Sequence, residues 1–234
     1  MEFKLWAFVL LVFEQGGLPR PRPGTVGYVL DAGANDGASA EGLARMLRAT
    51  DVRVLAVEPL RRNVDVIKRR QRTYANMEVM RAGLGAAAAA WGNYPSELDG
   101  IHGGIHLQIN AWTPTHRSGN SSYPILTIDS LFAGARTLLL AHLDLEGNEH
   151  LALPAANVTI LRDRPIVIAE TYPLKIPEQH GSVMAYFRSM RYEVYTVEEI
   201  VGGYRDGRNR VAIPEENRHL RWLARKYFHG GFAR

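Results

Sequence analysis

From Val26 onward, short apolar runs alternate with stretches whose apolar residues recur at helical spacing. Strands separated by helices cannot pair through tight hairpins, so they stack as βα units into a mainly parallel sheet with helices on both faces. "GYVLDAG" reads as the first strand, and "ASAEGLARMLRA" puts Ala40, Leu43, Ala44 and Leu47 on one helix face with Glu41 near its positive end. "VRVLAVEP" (52–59) and "MEVMRAG" read as the second and third strands. "LLLAHLDLEG" (138–147) and "PIVIAET" (165–171) read as the fourth and fifth, apolar enough to be central. After the second strand, Asn63 is placed to cap a helix whose inner face is Val64 and Ile67. Val183, Tyr186, Phe187 and Met190 predict a later helix, and "YEVYTV" and "NRVAIP" the last strands. The Asp206-Gly207 pair between them favours a tight reversal, which would make the terminal strand antiparallel.

The 234 residues are 46% hydrophobic, enough for one domain with a real core. Three regions are expected: an N-terminal apolar segment and Pro-rich connector at 1–24, the α/β domain at 25–215, and a basic C-terminal tail at 216–234. The apolar run Leu5–Phe13 is too short to span a bilayer. Glu2 offsets Lys4 and no small-x-small cleavage site follows, so the run reads as a terminal helix or strand that packs on the domain rather than a signal, and the expected location is cytoplasmic. Pro19, Pro21 and Pro23 make a stiff connector. Lys and Arg exceed Asp and Glu by 28 to 24, a mild excess concentrated at 61–72 and 218–228. Both stretches read as solvated helix faces, and no nucleic-acid partner is expected. The absence of cysteine excludes disulfides, thiolate metal sites and a cysteine nucleophile.

In an open parallel sheet, ligands sit beyond the carboxyl ends of the strands. Asp31, Gly33, Asn35 and Gly37 follow the first strand, Glu58 ends the second, Asp144, Glu146 and Gly147 follow the fourth, and Glu170 ends the fifth. Gly33 and Gly37 would admit a ligand close to the main chain, and Glu58, about 20 residues on, suits the ribose hydroxyls of a nucleotide. The D-x-G-x-x-x-G spacing is not the G-x-G-x-x-G of dinucleotide folds, and Asp31 and Asp36 would repel phosphates. An acid-rich nucleoside site favours a cationic ligand such as S-adenosylmethionine, which ranks methyl transfer ahead of hydride transfer.

"VLDAGANDG", "VLAVEPLRRNVDVI", "LTIDSLF" and "LLLAHLDLEGNEHLAL" followed by "RPIVIAET" resemble, in order and spacing, the FkbM family of S-adenosylmethionine-dependent methyltransferases. The resemblance spans roughly Tyr28 to Tyr172. It implies a class I methyltransferase, Rossmann-like sheet of seven mainly parallel strands and O-methylation of a hydroxyl. It further implies that Asp31, Gly33, Asn35 and Gly37 hold the methionine part of the cofactor and Glu58 the ribose, with Ala82 and Gly83 near the adenine. The family pattern Lys-x-Asp-x-Glu-Gly appears here as His142, Asp144, Glu146 and Gly147, followed by Glu149, so a histidine replaces the lysine.

Histidine near a methyl donor can take a hydroxyl proton at neutral pH, which ranks His142 first as base, ahead of Asp144 and Glu146. Asp144 and Glu146 have a plainer reading as loop-orienting groups, and Glu170 as a local ion pair. The stretch at about 86–123 breaks the βα rhythm. It opens on Ala86–Ala90, read as helix or filler, and reads on as an insertion forming an acceptor-binding lid with Trp91, Tyr94, His106 and Trp112. Together with Glu170, His106 and Trp112 are the expected substrate contacts. His102 and His106 have the spacing for one helix face, but Gly103 and Gly104 oppose that helix, so no metal is expected. The expected partner is a carbohydrate or secondary metabolite bearing a hydroxyl. Two other readings compete: a non-catalytic nucleoside-binding module acting through a partner, and a nicotinamide-dependent oxidoreductase, whose glycine spacing is lacking.

Overall fold

The computed structural model describes residues 3–87, 90–93, 122–201 and 204–228. Helix α1 (Phe3–Glu14) and the proline connector precede the first half of the sheet, which runs β1 (Val26–Ala32), α2 (Ala38–Met46), β2 (Arg53–Glu58), α3 (Arg61–Gln71) and β3 (Met77–Arg81). Short strands β4 (Gly83–Leu84), β5 (Ala90–Asn93) and β6 (Ser122–Leu126) form a separate sheet of order β4-β6-β5. The second half runs α4 (Ile128–Leu131), β7 (Arg136–Leu143), α5 (Glu149–Ala152), α6 (Asn157–Asp163), β8 (Ile166–Glu170), α7 (Pro177–Ser189) and β9 (Tyr192–Thr196). A hairpin of β10 (Glu199–Val201) and β11 (Tyr204–Asp206) leads to β12 (Asn209–Pro214) and helix α8 (Arg218–Tyr227).

The main sheet has seven strands in the order β3-β2-β1-β7-β8-β12-β9, with β12 antiparallel to both neighbours and the other strands parallel. This is the α/β class expected from the alternation of runs. The reversal before the last strand is built differently from the two-residue turn read in the sequence: the β10–β11 hairpin intervenes, and Asp206 ends β11. The alanine run is not helical where it is described, since Ala86 and Ala87 lie in a bend and Ala90 opens β5.

Helices cover both faces. On one, α1, α2, α3 and α8 bury Leu5, Phe8, Val9, Val12, Leu43, Ile67, Leu220 and Leu223 against Val29, Leu140, Ile168 and Val211. The other face packs Ile128, Leu131, Ile160, Val183 and Phe187 on Leu30, Leu55, Ala141 and Val167. Strand residues alternate between these clusters because successive side chains point to opposite faces. The apolar N-terminal run is thus a docked helix, with the Phe8 ring 4.6 Å from that of Phe228 just after α8. No described helix is long and apolar enough to cross a membrane. The connector is fastened by Arg22, which donates from Nε to Asp163 (3.0 Å) and from Nη2 to the Arg136 carbonyl (2.8 Å).

Candidate functional site

The parallel strands β1, β2, β7 and β8 end on one edge, and their loops close on one another there. Gly33 takes a left-handed φ of +76°, and its missing Cβ is replaced by the Asp144 carbonyl: a Cβ would stand 1.8 Å from that oxygen. The Asp144 amide in turn donates to the Ala32 carbonyl at 3.0 Å. At Gly37, also left-handed, a Cβ would meet Ile67 Cγ1 at 2.8 Å. Both glycines therefore let protein pack against protein, where the sequence suggested room for a ligand. Asp36 is paired with Arg70, whose Nη2 lies 3.0 Å from its Oδ2.

Glu58 organises the mouth of this loop. Its Oε2 accepts from the Asn35 amide at 2.9 Å, its Oε1 from the Leu60 amide at 2.9 Å, and the Asn63 side chain bridges Glu58 (3.4 Å) and Asn35 Oδ1 (3.2 Å). Burial pushes the Glu58 carboxyl up to about 7, against the pull of these three donors. The bridge corrects the reading of Asn63 as a helix cap. Helix α3 starts at Arg61 with Leu60 as its cap, and Asn63 is a buried side chain one turn in, aimed at the site. Ala82 follows β3, fully buried, with its amide on the Glu58 carbonyl, while a Cβ at Gly83 would press on Tyr123.

Asp31 and His142 are register partners on β1 and β7. Asp31 is 1% and His142 7% exposed, and Asp31 Oδ1 lies 2.8 Å from His142 Nδ1. A carboxylate oxygen only accepts, so Nδ1 carries the hydrogen and proton exchange falls to Nε2.

Past β7 and β8 lies an acid cluster. Asp144, Glu146 and Glu170 each offer an oxygen within 4.8 Å of the others, close enough to share a cation among the described residues. Much of the compensation is already present: Arg208 Nη1 sits 2.7 Å from Glu170, and the Tyr172 hydroxyl donates to Glu170 and lies 3.1 Å from Glu146. Burial, a hydrogen bond with Glu170 and the neighbouring acids push the Asp144 carboxyl well above the usual carboxylate range. Glu170 thus serves as the local ion pair of its plainer reading. The loop-orienting acid is Glu149, 2% exposed, whose Oε1 accepts from the Leu145 amide at 2.6 Å.

Burial also raises Glu149, to about 8. An acid whose folded pKa exceeds its unfolded value of 4.5 stabilises the fold most below pH 4.5 and loses that contribution as pH rises toward 8. Glu149→Gln is therefore expected to flatten the fall in stability between about pH 5 and 8, by up to ~1.4 kcal/mol per pH unit. Urea unfolding across that range checks it; parallel pH profiles for the two proteins would remove Glu149 as the source.

The structure thus gathers Asp31, Gly33, Asn35, Gly37, Glu58, Ala82, His142, Asp144, Glu146 and Glu170 along one edge. His106 and Trp112, with His102 and Tyr94, lie outside the described residues, and Trp91 lies in β5. Tyr172 and Arg208 are additions that the sequence did not single out, and Asn63, read there only as a cap, joins them at the site. Asn63 carried a signal, its position five residues after Glu58, whereas Arg208 reaches Glu170 only because β12 pairs with β8.

The Methyltransferase FkbM domain model matches residues 31–194, more than half of the chain. Among solved structures, the methyltransferase FkbM from Methylobacillus flagellatus KT aligns at TM-score 0.56 and 19% identity, covering 84% of this chain. The chain spans 49% of that protein. Aeropyrum pernix fibrillarin in complex with S-adenosylmethionine aligns at TM-score 0.48 and 14% identity, over 88% of this chain and 74% of that one. The O-methyltransferase from Bacillus cereus in complex with SAH aligns at 0.44 and 13%, over 91% of each chain. A search of curated proteins returns no match. With its seven-stranded class I sheet and the domain match from Asp31 through β8 to β9, the chain belongs to the FkbM methyltransferase family, whose methyl donor is S-adenosylmethionine.

Proposed function

We propose that this edge moves the methyl group of S-adenosylmethionine to a hydroxyl oxygen of a carbohydrate or secondary metabolite. One observation carries the reading: a buried Asp31–His142 pair stands beside an acid cluster at the edge where Glu58 and the β1 loop converge. The residues fit the donor. Glu58 is a buried acceptor at the end of β2 whose charged form gains from two ribose hydroxyls, and Asn35 presents a polar side chain beside it. Bound S-adenosylmethionine supplies an electrophilic methyl carbon with a neutral thioether as leaving group.

The protein then has to orient an oxygen and remove its proton. Asp31 holds the tautomer of His142, and His142 Nε2 takes the acceptor's proton, the resulting imidazolium being stabilised by the same carboxylate. Incubating the protein with isotopically labelled donor and a pool of glycans and metabolites should yield an alkali-stable methyl ether. His142→Gln should lower turnover by about 10²-fold or more, the scale of general-base assistance, with SAH binding retained. An alkali-labile ester, a methylated amine, or full activity in His142→Gln would contradict the reading. SAH binding without any methylated product would favour the non-catalytic module instead.

A further inference from the structure

We infer that Arg210, at the start of β12, is an oxyanion-binding residue that selects acceptors carrying a carboxylate or phosphate as well as the hydroxyl; the link to the acceptor rests on the proposed function. Arg210 is the one buried arginine among the described residues, 5% exposed. Its Nη1 donates to the backbone carbonyls of Gly207 and Asn209, and its Nε and Nη2 make no hydrogen bond among the described residues. Other arginines of this half of the chain have carboxylates: Arg208 has Glu170, Arg164 has Glu216 and Arg221 has Glu193. Arg210 has none. A buried charge without a counter-ion is costly, and burial lowers the Arg210 pKa with no neighbouring acid to oppose it.

The unused edge of the guanidinium has a specific fit. Nε and Nη2 lie on one side of its plane, the side that takes two oxygens of a carboxylate or phosphate in parallel hydrogen bonds. Neither nitrogen is sealed from solvent. Strand pairing sets this edge beside the site, since Asn209 pairs with Glu170 of the acid cluster and Arg210 with Ala169. In the sheet β12 stands two strands from β7 and three from β1, so about 10 Å from His142 and about 14 Å from Asp31 at the usual strand spacing. An acceptor oriented at His142 is therefore nearer than the methionine part expected at the β1 loop. Arg210 shares the sheet face of Ala169 and Ala212, the face that α7 covers. On α7, His180 Nδ1 lies 3.2 Å from Thr171 Oγ1. Burial and then the Arg210 charge hold His180 below the ordinary histidine range, so its ring is a reporter of charge at Arg210.

Ring nitrogen NMR of protein labelled with nitrogen-15 histidine tests this, with H180Q identifying the His180 signals and glucuronate, inorganic phosphate and uncharged glucose as probes. In wild type glucuronate or phosphate should shift the His180 signals and glucose should not; the anion that acts names the group. R210M, which keeps an unbranched side chain but removes the charge, should weaken that response by about 10-fold or more in affinity, the scale of hydrogen bonds to a charged group. His180 signals that ignore both anions in wild type would overturn the inference, however R210M folds, and so would an equal response in R210M. SAH should bind R210M as it binds wild type; weaker SAH binding would give the arginine to the donor and overturn the inference. With labelled donor, acceptors bearing the anion should be methylated faster than their neutral counterparts, and equal rates would overturn the link to the acceptor. If H142Q still transfers methyl groups, the proposed base fails while the anion response stands, so the two failures are distinguishable.

Discussion

Alanine at position 33 is expected to destabilise the fold by about 2–5 kcal/mol. Two costs combine. A non-glycine residue held in the left-handed region costs roughly 1–2 kcal/mol, and Gly33 sits at φ +76°. The new Cβ would also stand 1.8 Å from the Asp144 carbonyl oxygen and 2.8 Å from its carbon, both backbone atoms that no rotamer can move aside. The β1 and β7 loops must then separate, and forced repacking of this kind costs about 1–3 kcal/mol. Gly181→Ala is the control, since it lies in α7 with nothing within 4 Å of the added Cβ. It should be neutral or stabilising by up to ~1 kcal/mol. Urea unfolding reads both. A Gly33→Ala protein as stable as wild type would mean that the two loops do not meet as described.

Glu58→Ala is expected to weaken SAH binding by about 1.5–3 kcal/mol, roughly 10- to 150-fold, the scale of hydrogen bonds to a charged group. In the proposed site the residue acts twice: its carboxylate would accept from the ribose, and it holds the Asn35 and Leu60 amides that shape the loop. Its pH behaviour separates the two. In the free protein burial raises Glu58 to about 7, so near neutrality a large share is protonated. Two donated hydrogen bonds favour the carboxylate, so binding should release a proton and affinity should rise as pH increases through 7. Titration calorimetry in buffers of different ionisation enthalpy measures that proton directly. Proton uptake, or none, together with an unchanged affinity in Glu58→Ala, would take Glu58 out of the site.

Strand and helix periodicity was enough to read the sheet, because the central strands are apolar on both faces and the helices carry clean stripes such as Leu43–Leu47 and Val64–Ile67. Residues at strand ends were also readable, since topology alone brings Asp31, Glu58, Asp144 and Glu170 to one edge. What each of them touches was not readable. Asn63 passes for a helix cap in sequence because asparagine serves both ends, and only the position of Leu60 as the actual cap turns it inward. Gly33 and Gly37 pointed to a ligand because close approach was certain while the approaching group was not; it proved to be Asp144 and Ile67. Contacts made across long separations, Arg208 with Glu170 and Trp6 with His142, leave no local pattern, since they depend on where β12 inserts and how α1 docks.

In the proposed function this edge is a nucleoside site for a sulfonium donor and its thioether product. Thermal unfolding with and without SAH tests it most directly, because a ligand bound only by the native state stabilises that state by mass action. At a concentration about 100-fold above its dissociation constant, SAH should add ~2.7 kcal/mol and raise the melting temperature by about 5–10 °C, with the shift reduced in Glu58→Ala. No shift at saturating SAH, with NADH raising the melting temperature instead, would contradict it.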